Sequence, residues 1–232
     1  VINVTPVLIE QLNDYVRMLR RYLDHGDDWI AKAVVAAEDQ RFWTHQGVDP
    51  IGIARTLVTN VGQLGSGRRM GGASTITQQL IKITSPPAKR SPFTKVHEAL
   101  AARRLEMTWS KRQILTAYLN HLDYGNLRIG TAEAARFYFQ KPLADLSLAE
   151  CALLAGLPQA PSRLNPVNHP ARAVARRDTV LTRLASTGNY DERRIAAARA
   201  ETLVLRPLSE ARPAPWLPPP SRSWSDACRN LL

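Results

Sequence analysis

Three stretches of this chain carry the same four-residue signature, and that signature commits it to helices. Thr75-Ile76-Thr77-Gln78, Ser110-Lys111-Arg112-Gln113 and Ser147-Leu148-Ala149-Glu150 each set a hydroxyl three residues ahead of an amide or carboxylate. In such a capping box, each side chain accepts from the other residue's backbone N–H, which satisfies two donors that a helix start leaves unpaired. Prolines and glycines punctuate the segments between, at Pro86, Pro87, Pro92, Gly125, Gly130, Pro158 and Gly188. Aromatics make up only 6% of the chain, while Ala, Leu and Arg are abundant, which favours helix over sheet.

The remaining periodicity fills in the order. Residues 1–26 read as one amphipathic helix with Ile9, Leu12, Val16, Leu19 and Leu23 on one face, stopped by His25-Gly26. Asp27 or Asp28 caps a helix from about Trp29 to Asp39, striped by Ile30, Val34 and Ala37. Glu38 falls at the edge of that stripe, where a carboxylate is expected to be partly buried. A helix from Asp49 to about Gly62 should turn Ile51, Ala54, Leu57, Val58 and Val61 inward. Residues 62–72 then hold five glycines and two arginines, the composition of a mobile connector or a substrate-ordered lid. Thr94 is the expected cap of a helix reaching Thr108, on which Glu98 shares a face with Ala102, Leu105 and Trp109. Helices of roughly 171–187 and 191–204 close the pattern, and a proline-rich tail follows Arg206.

A chain of 232 residues can bury a substantial core, and its 44% apolar content is ordinary. No run of 18 apolar residues occurs, so no segment reads as a membrane span. The chain begins with Val1, which leaves room for an upstream anchor. Cys151 and Cys228 give neither a disulfide framework nor metal-ligand spacing, and Cys151 reads as core filling. The net charge of +11 suits a phosphorylated substrate or anionic lipid. Nucleic acid is not a partner on this reading: zinc-finger spacing, aromatic RNA-binding motifs and basic runs with interleaved aromatics are all missing.

Acids, amides, hydroxyls and cations crowd between Glu38 and Glu98. Glu38-Asp39-x-x-Phe42-x-x-His45-x-Gly47-x-Asp49 comes first, and Gly72-Ala73-Ser74-Thr75-x-Thr77-Gln78-Gln79-Leu80-x-Lys82 second. Lys95-x-x-Glu98 follows, with Leu105-Glu106, Ser110-Lys111 and Ile114-Leu115-x-x-Tyr118-Leu119-Asn120. Ala134-Ala135-x-x-Tyr138-Phe139-x-Lys141 and Leu153 to Pro161 complete the set. These motifs resemble those of the peptidoglycan glycosyltransferase domain (glycosyltransferase family 51), found in class A penicillin-binding proteins. The resemblance covers about residues 29–187. The wording after Asn120 is most similar to the penicillin-binding protein 1C branch.

The resemblance implies a mainly α, lysozyme-like, two-lobed helical domain over 29–205. Residues 1–28 would be a helix and linker from a missing membrane anchor, and 206–232 a linker or tail. It implies polymerisation of lipid II with inversion at the anomeric carbon and release of undecaprenyl pyrophosphate. Glu38 takes the place of the general base for the attacking hydroxyl, whose very high pKa demands one. Glu98 matches the second essential glutamate, which orients cations, holds a divalent ion or assists departure of the pyrophosphate. Lys82, Arg90 and Lys95 match the cations that meet that leaving group. Ser74, Thr75, Gln78 and Gln79 would position sugar and phosphate; Asp39, Phe42 and His45 are expected to bind substrate as well, with His45 ordering the loop after Glu38 and Asp39 pairing with a backbone amide or arginine. A divalent cation (Mg or Mn) is implied by the resemblance alone. The implied partners are lipid II, the growing glycan strand, the membrane surface, a fused transpeptidase domain and cell-wall synthesis proteins. The implied location is the bacterial inner membrane, on its periplasmic or extracytoplasmic face.

Two positions depart from the pattern. Thr94 stands where the family has arginine, and Ile83 where it has asparagine. The chain contains no Ser-x-x-Lys, Ser-Asp-Asn or Lys-Thr-Gly of a transpeptidase. Rival readings are glycan cleavage with Glu38 as general acid, a degenerate domain that binds lipid II without turnover, and nucleic-acid binding.

Overall fold

In the computed structural model the described residues are 29–62, 74–85, 89, 91–188 and 190–206. The expected helix over 1–26, the glycine-rich stretch after Gly62 and the proline-rich tail lie outside them.

Among the described residues nine α-helices occur and no strands: α1 (Trp29–Glu38), α2 (Pro50–Gly62), α3 (Ile76–Thr84), α4 (Pro92–Thr108), α5 (Lys111–His121), α6 (Thr131–Phe139), α7 (Leu148–Gly156), α8 (Pro170–Ala185) and α9 (Glu192–Ala200). Short 3₁₀ turns at Leu143–Asp145 and Leu157–Gln159 flank α7. The mainly α expectation holds. All three capping boxes form, with reciprocal bonds at Thr75/Gln78, Ser110/Gln113 and Ser147/Glu150. Each hydroxyl cap contributes about 1 kcal/mol to its helix start.

The helices sort into two packed groups. One is α1, α7, α8 and α9, with α1 against α7 and α8, and α9 against both of those. The other is α3 with α4 and α5. In α1 every residue from Ala33 to Ala37 is buried, so this apolar stretch of the helix sits inside the core. It ends at Glu38, where the buried run meets the second group.

Two expectations are corrected. The α4 cap is Ser91, not Thr94: the Ser91 hydroxyl accepts from Thr94 N–H, and Pro92 takes the first helical position. Proline suits that position because its φ is already helical and its missing N–H would have been unpaired. Thr94 lies two residues later, its own hydroxyl donating to the Lys89 carbonyl. The inward face expected of α2 is also wrong where it is described, because Ile51, Ala54 and Val58 are exposed. No other helix packs closely on α2 among the described residues, so its apolar side has no core to enter.

A tight turn follows α5. Arg128 N–H donates to the Gly125 carbonyl at 2.9 Å, and both central residues have positive φ, Asn126 at 51° and Leu127 at 59°. Positive φ at both positions marks a type I′ turn, which favours Asn-Gly. Leu127 instead carries a side chain 96% exposed in the left-handed region. Leu127→Gly is expected to stabilise the fold by about 1 kcal/mol, raising the melting temperature by ~2–4 °C. Thermal unfolding followed by circular dichroism checks this, and an unchanged or lower midpoint contradicts it.

Candidate active site

Glu38 and Asp39 are neighbours in sequence, yet their carboxylates point into different surroundings. Asp39 Oδ2 accepts from His45 Nε2 at 2.9 Å and from the Ile76 backbone N–H at 3.0 Å. The second bond sets an anion on the N-terminus of α3, where unpaired donors and the helix dipole both favour it. On the other side of the imidazole, Lys111 Nζ lies 3.3 Å from His45 Nδ1. An ammonium can only donate, so Nδ1 accepts and the ring proton sits on Nε2, facing Asp39. Lys111 also donates to Glu106 Oε1 at 2.8 Å, which takes a second bond from Thr77 Oγ1 at 2.5 Å. The chain Asp39–His45–Lys111–Glu106–Thr77 thus returns to α3, one residue past where it began. Phe42 is fully buried beneath it, its ring 4.5 Å from Lys111 Nζ.

Thr75 fixes the second attachment of the loop after α1. Its hydroxyl donates to the Gly47 carbonyl at 2.6 Å. Gly47 has φ of 79°, and a Cβ there would lie 2.6 Å from the Ala102 backbone of α4. Only glycine lets this loop pass between α3 and α4.

Glu38 itself faces the junction of the two helix groups, its side chain 15% exposed. Gln79 Nε2 donates to Glu38 Oε2 at 3.2 Å, while Tyr118 O–H donates to Gln79 Oε1 at 2.8 Å. Burial, helped by the nearby Glu38 charge, pushes the Tyr118 phenol well above its ordinary range, so it remains a donor. That donor fixes the Gln79 amide with its NH₂ turned to Glu38. Glu38 Oε1 is buried without a hydrogen-bond partner, and Arg176 Nη2 stands 3.6 Å from it.

The second glutamate lies at the other end of the same elements. Lys95 Nζ donates to Glu98 Oε2 at 2.9 Å and to Ser74 Oγ at 2.8 Å. Ser74 directly precedes the α3 cap, and Thr75 to Gln79 spans ~6 Å of helix axis. One short segment therefore joins the Lys95/Glu98 cluster to Glu38. Lys82 is exposed in the last turn of α3, one turn beyond Gln79. Arg90 lies outside the described residues.

The structure thus brings Glu38, Gln79, Ser74, Lys95 and Glu98 along α3. It places Asp39, Phe42, His45, Thr75 and Gln78 in the interior, Gln78 spent on the capping box. The residues that the sequence did not single out are Arg176 and Arg183. Arg183 Nη1 donates to the Ala37 carbonyl, and Arg176 Nε to the Gly156 carbonyl at 3.3 Å. Their signal was present but weak: on α8 Arg176 occupies the buried stripe formed by Ala173, Val180 and Leu184. Charge in a core stripe needs a partner.

No group of three or more His, Cys, Asp or Glu side chains that could hold a metal occurs among the described residues. Glu98 already accepts an ammonium, so its surroundings do not form a protein cage for a divalent ion. Such an ion would rest on one carboxylate and draw its other ligands from phosphate and water.

A family model described as Transglycosylase matches residues 8–185. The chain belongs to the transglycosylase family. With that membership and the all-helical content among the described residues, the lysozyme-like fold class also stands. Penicillin-binding protein 1A of Aquifex aeolicus (strain VF5) is 40% identical over 187 residues, 81% of this chain and 25% of that protein. The Neisseria flavescens penicillin-binding protein 1A is 44% identical over 172 residues, 73% of this chain and 21% of that protein. A crystal structure of penicillin-binding protein 1A from Haemophilus influenzae matches with 27% identity, 61% of this chain, 18% of that chain and a TM-score of 0.41. The chain therefore spans about a quarter or less of the curated relatives it matches.

Gly47→Ala tests the seam that holds this candidate site together. The added methyl and the left-handed φ together are expected to cost ~2–4 kcal/mol. Denaturant unfolding measures this, and a loss below 1 kcal/mol would mean that the loop does not thread between α3 and α4 in solution.

Proposed function

We propose that this chain is a peptidoglycan glycosyltransferase that polymerises lipid II into glycan strands. One observation carries the reading. Glu38 lies at the junction of the two helix groups with its side chain still 15% exposed, one carboxylate oxygen held by Gln79 and the carboxylate within ion-pair range of Arg176. A carboxylate held in place and still reachable at its partly exposed side suits a general base for a sugar hydroxyl.

The acceptor 4-hydroxyl gives its proton to Glu38 and forms a bond to the anomeric carbon of the donor. The bond from that carbon to the diphosphate oxygen breaks on the opposite face, so configuration inverts. The electron pair leaves with undecaprenyl pyrophosphate. The departing dianion is met by Lys95, with Lys82 and Arg90 joining from the family pattern. Glu98 holds the Lys95 ammonium, and Ser74 shares it, so the cation is aimed before substrate arrives. The buried Asp39, Phe42, His45, Thr75 and Gln78 act by fixing the elements that carry these groups.

A membrane face fits the same reading. On α4, Phe93 is 80% and Met107 84% exposed, with exposed Val96 and Leu100 between them at helical spacing. That ridge and the exposed apolar side of α2 suit the boundary where a polyprenyl donor is held. No helix of the described residues is long and apolar enough to cross a membrane. An anchor before the domain, a transpeptidase after it and a place on the periplasmic face of the inner membrane complete the proposal.

Glu38→Gln is expected to abolish polymerisation of labelled lipid II, a loss of ~10²–10⁴-fold or more, while keeping a cooperative melt. Retained turnover removes Glu38 from its role. Release of muropeptides from purified sacculi by the unaltered protein would instead favour glycan cleavage. Lys95→Ala, at an exposed side chain, should lower turnover at least tenfold with little change in the melting midpoint. Loss of folded protein would make Lys95 structural.

A further inference from the structure

We infer that Tyr118 is a positioning residue of the reaction: its hydroxyl locks the Gln79 amide, and the locked amide holds the Glu38 carboxylate in one orientation. The inference rests on the general-base role of Glu38 proposed above.

Tyr118 lies on α5 and is fully buried. Burying a phenol hydroxyl carries a cost that phenylalanine would avoid, unless the hydroxyl finds a partner. Among the described residues, the other buried tyrosines use theirs within the fold. The Tyr138 hydroxyl donates to the Tyr124 carbonyl at 2.7 Å, and the Tyr124 hydroxyl meets Thr131 Oγ1 at 2.7 Å. Tyr118 differs. Its hydroxyl donates to Gln79 Oε1 at 2.8 Å, and Gln79 Nε2 donates to Glu38 Oε2 at 3.2 Å. The bond therefore leads through one side chain to the proposed base.

An amide has donors on one side and an acceptor on the other. Turned by half a rotation, Gln79 would set its carbonyl oxygen against the Glu38 carboxylate, acceptor against acceptor. The same turn would leave the Tyr118 hydrogen without its acceptor. Both ends of the relay thus select one orientation. Burial, and after it the Glu38 charge, raises the Tyr118 pKa, so the phenol keeps the hydrogen that it donates.

The relay runs from α5 through α3 to the end of α1, and α3 packs on α5. Gln79 is held by its backbone as well, its N–H donating to the Thr75 carbonyl at 2.9 Å. With backbone and amide both fixed, the donor facing Glu38 has one position. A group that does chemistry has to be held within about 0.5 Å of its productive place. Gln79, expected to position sugar and phosphate, instead has its carbonyl on Tyr118 and a donor on Glu38.

The test is a double-mutant cycle on lipid II polymerisation with Tyr118→Phe, Gln79→Met and the pair together. Phenylalanine keeps the ring in the core, and methionine keeps the length of glutamine without its amide. Tyr118→Phe is expected to lower kcat about tenfold and to leave KM within about twofold. In the Gln79→Met background the same change should alter kcat by less than about twofold, because no amide is left to orient. Tyr118→Met is the second hydroxyl-free variant should Tyr118→Phe not fold. Tyr124→Phe is the control: its hydroxyl is as deeply buried but meets Thr131. It should lower the melting midpoint and leave kcat in place. Should Gln79→Met turn over too slowly for the cycle, the Gln79 side-chain N–H signals are followed by NMR. They should shift in Tyr118→Phe and stay in Tyr124→Phe, and unmoved signals in Tyr118→Phe overturn the inference. Unchanged kcat in a folded hydroxyl-free variant also overturns it, as does a loss that persists undiminished in the Gln79→Met background or recurs in Tyr124→Phe. These outcomes leave the general-base reading standing if Glu38→Gln is inactive. Turnover by Glu38→Gln overturns both.

Discussion

The candidate site depends on the carboxylate of Asp39. It accepts from His45 on one side and from the start of α3 on the other, and it does so one residue after Glu38. The backbone at the end of α1 is thereby fixed from below, so the neighbouring side chain is left to Gln79 and Arg176 at the junction of the helix groups. A single helix end therefore serves two purposes that conflict within one residue: full burial and partial exposure. Splitting them between adjacent acids resolves the conflict. The interior acid is surrounded by donors with fixed proton positions, because Lys111 dictates which imidazole nitrogen carries hydrogen. A buried network in which every member has its partner confers rigidity.

The same logic recurs at Gln79. Its amide is oriented by Tyr118 and so presents only donors to Glu38. Its helix, α3, also carries Thr75 and follows Ser74, which reach Gly47 and Lys95. This nine-residue helix is therefore where the core helix α1, the loop after it and the basic end of α4 are brought into register.

Much of this was legible locally. The capping boxes are short-range patterns, and all three formed as read. The partial burial of Glu38 followed from its place beside Ile30 and Val34 on α1, whereas Lys95 as the partner of Glu98 came only with the structure. Long-range partners were not legible. Arg176 lies far from Glu38 in sequence, and only the packing of α8 on α1 joins them. The direction of α2 was misread because periodicity shows that a helix has an apolar side, not what covers it. Thr94 was taken for a cap because it has the right chemistry, but Ser91 before Pro92 has that chemistry and the better position. The roles assigned to the buried motif residues also sharpened: Thr75 and Gln78 carry polar groups suited to a sugar, yet both spend them within the fold.

The apolar ridge of α4 has a chemical side effect. Met107 offers its thioether almost wholly to the surroundings, whereas the core helices keep their apolar atoms covered. An oxidant would convert it to a sulfoxide without disturbing packing, and a polar, chiral group would then stand one turn past the exposed Arg103 and Arg104. Oxidative damage at that one sulfur would thus make the exposed side of α4 more polar while leaving the folded interior, and the arrangement around Glu38, intact.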